Sequence, residues 1–399
     1  MANKIISADN KCSLTVTFDY AYSKAYVTAI YSFIVPVSEF RFSLSSTMSL
    51  GSIAADKAVN CSVAKEWKPR WAFKSKEYVV SGGAPFSALT VTYHGGVEGW
   101  CNIIEERRTA LSSYSAWCPF ELSVPCESTY RLPNMEDYTI INARYDNAEK
   151  LWIYGSEGYD EGNIIALRND GLYTESVGGF AFYYLNEAEK PFADCHSQSY
   201  GKIMDYYTAV FPPNPIKKMS IVPLDFPSGG GAYFRAGLMV IEKASEDHST
   251  MCDDVICLHG HELGHNWFFN ANTTTWEDWL NETGAEWALL LYLLHCGNNT
   301  LFAKKIEQVN QNYKDTETIK PAIGELRPYT GVHIRGVALL YKIYKRFGSE
   351  TILTILQTLA ELQYPATTDD LLPALRIKLG NDVPSIIQRG LSMTDYEEL

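Results

Sequence analysis

LHGHELGHNW, residues 258–267, places three of the chain's eight histidines within seven residues and a glutamate between two of them. His261, Glu262 and His265 form an HExxH pattern. On a helix, residues four apart share a face, so both imidazoles can bind one metal ion. Glu262 then lies beside the ion, where it can take a proton from water. Zinc needs a third protein ligand and an open position to be catalytic. A closed structural site is usually rich in cysteine and has no use for the intervening glutamate. A metal-free core would have to bury two histidines and a glutamate with other partners, which is costly. The stretch therefore predicts a helix carrying one catalytic Zn²⁺. His259 falls on another face and reads as a packing or surface residue.

The third ligand is sought downstream. WEDWLNETGAEWALLLYLLH (276–295) reads as a second helix, opened by Asn281-Glu282, with Glu286 one turn further on the same face. Packed beside the first helix, it can present Glu282 to the metal. Glu286 can then hydrogen-bond a ligand histidine from behind. The same spacing also allows the reverse assignment of Glu282 and Glu286.

The rest of the chain bounds the setting. At 399 residues it has material for two domains or three. Hydrophobic residues at 46% and charged residues at 20% give an ordinary globular balance. The formal charge of −13 argues against nucleic acid as a partner, because phosphate binding needs a basic face. The first residues lack the apolar core of a secretory signal, and no apolar run is long enough for a bilayer. Nine scattered cysteines without a CxxC pair read as reduced thiols. Together these features lead us to expect a cytoplasmic protein without a membrane or nucleic-acid partner.

The first half reads as strands: SLTVTFDY (13–20), AYVTAIYSFIV (25–35), EFRFSLS (39–45), SALTVTYH (87–94), YTIINARY (138–145), KLWIYG (150–155) and GGFAFYYL (178–185). The character changes near residue 190. DCHSQSYGKIMDYYTAVF (194–211) reads as a helix capped by Asp194 and stopped by PPNP (212–215). MSIVPLDF (219–226) and AYFRAGLMVI (232–241) read as strands, and helices dominate from Cys252 on. The expected fold is α+β. A β-sandwich-like domain over residues 1–188 precedes a catalytic domain over 189–399, made of a small sheet and helices.

HELGHNWFFN…TTTWEDWLNE resembles the zinc signature of the aminopeptidase N family of gluzincins, in which HExxH-x-W is followed by W…LNE on the next helix. YGKIMDYYTAVFPPNPIKKMSIVPLDFPSGGGAYFRAGLMVIE upstream is similar to that family's helix, its proline-rich turn and the strand pair entering its Gly-Ala-Met-Glu-Asn loop. The segment from HIRGVALLYKIYKRFG to LLPAL resembles the close of its catalytic domain. The likeness covers about residues 190–380. It implies a thermolysin-like zinc metallopeptidase acting on a peptide or protein. His261, His265 and Glu282 would be the ligands and Glu262 the catalytic base.

Three departures bear on that implication. The gap from His265 to Glu282 is sixteen residues, two fewer than the family's usual gap, which points to a shortened loop at ANTTT (271–275). Thermolysin-like enzymes often place an acid four residues after the ligand glutamate, as Glu286 follows Glu282. Aligning Gly231 and Ala232 with the family's loop puts Tyr233, Phe234 and Arg235 where it has Met-Glu-Asn. The family's glutamate binds a free α-amino group, which Phe234 cannot do. Arg235 offers a contact to a substrate carboxylate or backbone carbonyl, or is a solvent-facing charge on an edge strand. Gly231, Ala232, Phe234 and Arg235 are thus the candidate substrate-binding residues. The family's catalytic tyrosine aligns with His333, and Tyr329 stands four residues earlier. A histidine can serve as donor to a developing oxyanion, as one does in thermolysin-like enzymes. The expected activity is zinc-dependent peptide hydrolysis. Two alternatives share these residues: a catalytically impaired peptide-binding pseudoenzyme, and a zinc hydrolase of a non-peptide substrate.

Overall fold

The run IIALR, within Ile164–Arg168, lies in the middle of the molecule and shows how its layers are made. The computed structural model describes residues 10–397, apart from 68–73, 100, 113–114, 156–161, 178, 214–217, 226–230, 236, 243–251, 274, 323, 325–326 and 329. Successive side chains of a strand point to opposite faces. Ile164 and Ala166 face one core, shared with Leu14, Val16, Phe40 and Leu89. Ile165 and Leu167 face another, shared with Val222, Leu224 and Val240.

This strand belongs to a four-stranded sheet with Ile103–Ile104, Arg108–Leu111 and Tyr138–Ile140. On one side stands an eight-stranded sheet built around Lys11–Asp19, Lys24–Ser45 and Ser75–Gly95. On the other side is a five-stranded sheet, in the order Tyr173–Val177, Phe180–Tyr184, Met219–Leu224, Leu238–Glu242, Ala232–Arg235. Its far face, with Ile221, Met239 and Ile241, packs on the helices. The fold is α+β, as expected. The segments read separately as 25–35 and 39–45 form one strand. Its pairing with Ser75–Gly95 shifts between Ser32 and Glu39, a bulge that accommodates Pro36, which has no N–H to donate. Phe180–Tyr184 pairs with Met219–Leu224, so this sheet takes strands from both sides of residue 188.

The described residues include eight α-helices: α1 (Lys190–Val210), α2 (Cys252–Gly264), α3 (Trp279–His295), α4 (Asn299–Asn312), α5 (Gly336–Phe347), α6 (Ser349–Glu361), α7 (Thr368–Leu379) and α8 (Asp382–Gly390). Asp194 does not cap α1. The helix begins four residues earlier with a proline in its first turn, and Asp194 pairs along it with Lys190 at 2.8 Å. α3 likewise opens at Trp279, after a 3₁₀ turn over Trp276–Asp278, which puts Glu282 inside its first turn. α5 ends where Gly348 adopts φ +84°, a backbone conformation that favours glycine.

The spacing of α2 and α3 is set by small residues. A Cβ on Gly264 would lie 2.8 Å from Ala285 Cα, and one on Gly260 would lie 2.5 Å from Leu289 Cδ1. Only glycine permits this approach, and it brings the histidines of α2 up to the carboxylates of α3. From the other side, Tyr207 of α1 donates to the Gly260 carbonyl at 2.7 Å.

His333 sits in a single π-helical turn, Gly331–Arg335, that leads into α5. Two fixings hold the turn. Thr283 Oγ1 of α3 donates to the Val332 carbonyl at 3.3 Å. Arg335 is 1% exposed, and its guanidinium donates to the carbonyls of Lys314, Thr316, Glu317, Met393 and Thr394. It also lies over the stacked rings of Tyr313 and Tyr396.

Two stability effects follow. Gly264→Ala should cost about 1–3 kcal/mol in urea unfolding, because the helices must separate to admit a methyl group. Arg335→Met should cost about 3 kcal/mol or more, because several buried carbonyls lose their donor. A loss below about 0.5 kcal/mol in either variant, the range of a neutral surface change, would contradict the packing described.

Candidate metal centre

His261 lies in the last turn of α2, and His265 in the tight turn after it, where His265 N–H bonds the Glu262 carbonyl at 3.2 Å. Glu282 faces them from α3. The ligand atoms of His261, His265 and Glu282 all lie within 4.8 Å of one another. Glu282 Oε2 is 3.3 Å from His261 Nε2 and 3.7 Å from His265 Nε2.

The outer nitrogens of both rings are already engaged. His261 Nδ1 donates to Glu286 Oε2 at 3.0 Å, and His265 Nδ1 donates to the Phe268 carbonyl at 2.9 Å. Those bonds fix the ring protons on Nδ1 and leave both Nε2 lone pairs facing Glu282. The donor set of two imidazoles and one carboxylate, with tautomers set from behind, fits a zinc ion. Glu286 itself is tied to Lys305 Nζ of α4 at 2.6 Å.

Charges hold the carboxylates in their anionic form. Burial opposes ionisation of Glu282, yet the rings of His333, His261 and His265 around it hold its carboxyl well below the usual range. Burial likewise opposes ionisation of Glu286, and His261 with Lys305 holds it down at about 2. Burial works against protonation of His261, while its bonds to Glu282 and Glu286 raise its affinity for a proton well above the ordinary value. A bound cation would meet the same negative pair and displace that proton.

Glu262, next to the first histidine on α2, is buried at 8% exposure. His333 reaches the centre from its π-turn, with Nδ1 3.1 Å from Glu282 Oε2. Tyr329 lies outside the described residues. Ala232–Arg235 is the edge strand of the five-stranded sheet, paired with Leu238–Glu242. Its alternation separates the candidate substrate residues. Phe234 faces the helices, with its ring 6.4 Å from that of His265. Arg235 projects to the other face, lies over Tyr233 and donates to the Phe234 carbonyl at 2.7 Å. Gly231 is exposed and leads into the strand, and Ala232 begins it.

His259 is fully buried against His196 of α1, and burial lowers its pKa to about 3. It packs, as its helical phase suggests. Lys305 and Arg327 are the charged residues of the centre that the sequence does not reveal. Arg327 bonds Asp278, Glu282 and His333. The loop before α3 is closed by Asn281, whose amide exchanges two hydrogen bonds with Ala271, each 3.0 Å.

No protein-family model and no curated protein matches the sequence. The fold does match solved structures. Leukotriene A4 hydrolase from Saccharomyces cerevisiae aligns with a TM-score of 0.69 at 11% identity, over 95% of this chain. This chain spans 66% of the length of that protein. The M1 zinc metallopeptidase from Deinococcus radiodurans aligns with a TM-score of 0.62 at 16% identity, over 97% of this chain and 94% of its own. A mutant of that peptidase bound to a Tyr-Ser-Ala substrate aligns with a TM-score of 0.63. At these identities the likeness is one of fold: the chain has an M1 metallopeptidase-like architecture, with a β-rich N-terminal part and a zinc-peptidase-like helical part.

Proposed function

We propose that the protein is a zinc-dependent peptidase that hydrolyses peptide bonds with activated water. The observation that carries this reading is the inward-facing triangle of His261, His265 and Glu282 with Glu262 beside it on the same helix. The fold likeness to zinc metallopeptidases supports it.

Bound zinc would polarise the scissile carbonyl and make water a better acid. Glu262 takes a proton from the attacking water and delivers it to the leaving amine. His333 supports the oxyanion as a hydrogen-bond donor, with Tyr329 as a second donor. In the structure His333 Nδ1 lies 3.1 Å from Glu282 Oε2, on the side that faces the ligand triangle. Ala232–Arg235, the edge strand of its sheet, adds an extended peptide as a further strand, beginning at Gly231. Phe234 walls the cleft near His265 with an apolar ring and offers no carboxylate to a free amine. Arg235 lies on the other strand face, over Tyr233 and away from the ring of His265.

We assign a reducing compartment, the cytoplasm, on the nine scattered cysteines of the sequence, which include no CxxC pair. No described helix is long and apolar enough to cross a membrane.

Paired peptides, one with a free N-terminus and one acetylated, test the reaction directly. The expected result is chelator-sensitive cleavage of both. Cleavage of the free peptide alone would mean that another group takes the amine. Zinc at one per chain without cleavage would favour the pseudoenzyme or the non-peptide hydrolase. Glu262→Gln should retain zinc and lose about 10²–10⁴-fold in kcat. Glu286→Ala should weaken zinc binding by about 10–100-fold, read by competition with a chelator, because His261 loses the acceptor that fixes its ring.

A further inference from the structure

We propose that Arg327 is a positioning residue that holds Glu282 as a one-oxygen metal ligand and sets the orientation of His333. The inference rests on the zinc reading above and assigns a role to a residue outside the HExxH and LNE stretches.

The two oxygens of Glu282 have different neighbours. Oε2 faces His261 Nε2, His265 Nε2 and His333 Nδ1. Oε1 accepts from Arg327 Nη2 at 3.4 Å. With Oε1 engaged by the guanidinium, only Oε2 is turned to the metal position. A carboxylate free to swing could instead chelate through both oxygens and close the position that substrate needs.

The same Nη2 group lies 3.0 Å from His333 Nε2. A guanidinium only donates, so this ring nitrogen accepts and the ring proton sits on Nδ1. Arg327 therefore places the donor of His333 on the side of the ring that faces Glu282.

A third contact holds the fork in place. Arg327 Nε bonds Asp278 Oδ2 at 2.5 Å, and Asn281 donates to the other oxygen of Asp278 at 2.7 Å. Asp278 is 2% exposed and precedes Glu282 by one helical turn. A cation beside a metal site opposes metal binding by its charge, and Asp278 offsets that charge. What remains is the planar geometry, which a lysine cannot reproduce.

The test compares Arg327→Gln and Arg327→Lys with the unaltered protein in three readouts: zinc dissociation constant by competition with a chelator, kcat against KM on a cleaved peptide, and the urea midpoint. Both variants should bind zinc about 10–100-fold more weakly. Both should lower kcat with KM within about twofold, as expected when an interaction that shapes the reacting site is lost. Arg327→Lys should recover the urea midpoint, because it restores charge beside Asp278, without recovering zinc affinity. Zinc binding equal to the unaltered protein in both variants would overturn the proposal. Full recovery of zinc affinity by lysine would show that charge alone matters, and would also overturn it. A raised KM at constant kcat would make Arg327 a substrate contact instead. If Arg327→Gln does not fold, the lysine variant alone decides between these outcomes. Absence of zinc from the unaltered protein would instead remove the functional reading on which the proposal rests.

Discussion

Two carboxylates one helical turn apart, Glu282 half-buried and Glu286 buried, have to be held side by side in this protein. An isolated buried carboxylate is so unfavourable that it would protonate. The structure keeps both ionised by surrounding them: Lys305 and His261 on Glu286, Arg327 and three imidazoles on Glu282. The close approach of α2 and α3 at Gly260 and Gly264, the π-turn that brings in His333, and the loop closed by Asn281 all serve this arrangement. Relax any one of them and a charge is left without its partner.

The same constraint explains how the side chains of the centre are oriented. Each ligand is held by a neighbour from a different element. Glu286 of α3 orients His261, a carbonyl in the turn after α2 orients His265, and a guanidinium from the segment before the π-turn orients Glu282. Such support keeps a metal ligand within the narrow geometry that binding requires.

What the sequence revealed of this and what it hid have physical reasons. The histidines and Glu262 are fixed by covalent spacing on one helix, so a pattern of five residues is enough. Glu282 and Glu286 follow from helical periodicity on α3. Lys305 and Arg327 come from elements whose pattern shows only a solvated face or a loop, and nothing local marks the residue that will turn inward. The strand at Ile164–Arg168 was missed for a related reason. It is buried on both faces, so its apolar run does not alternate, and alternation is the signal by which half-buried strands are read. The N-terminus of α1 was misplaced because Asp194 has the chemistry of a cap but was preceded by a better helix start at Pro191.

The four-stranded sheet in the middle of the molecule carries a consequence for how the protein can be handled and how it can evolve. Its strand Ile164–Arg168 and its neighbours give one face to the β-rich core and the other to Val222, Leu224 and Val240 of the five-stranded sheet, whose far face carries the helices. Cutting the chain between the halves would strip an apolar wall from whichever piece lacked this sheet, and exposed walls of that kind associate indiscriminately. The helices and the β-rich part are thus tied into one folding unit by an apolar layer that both lean on.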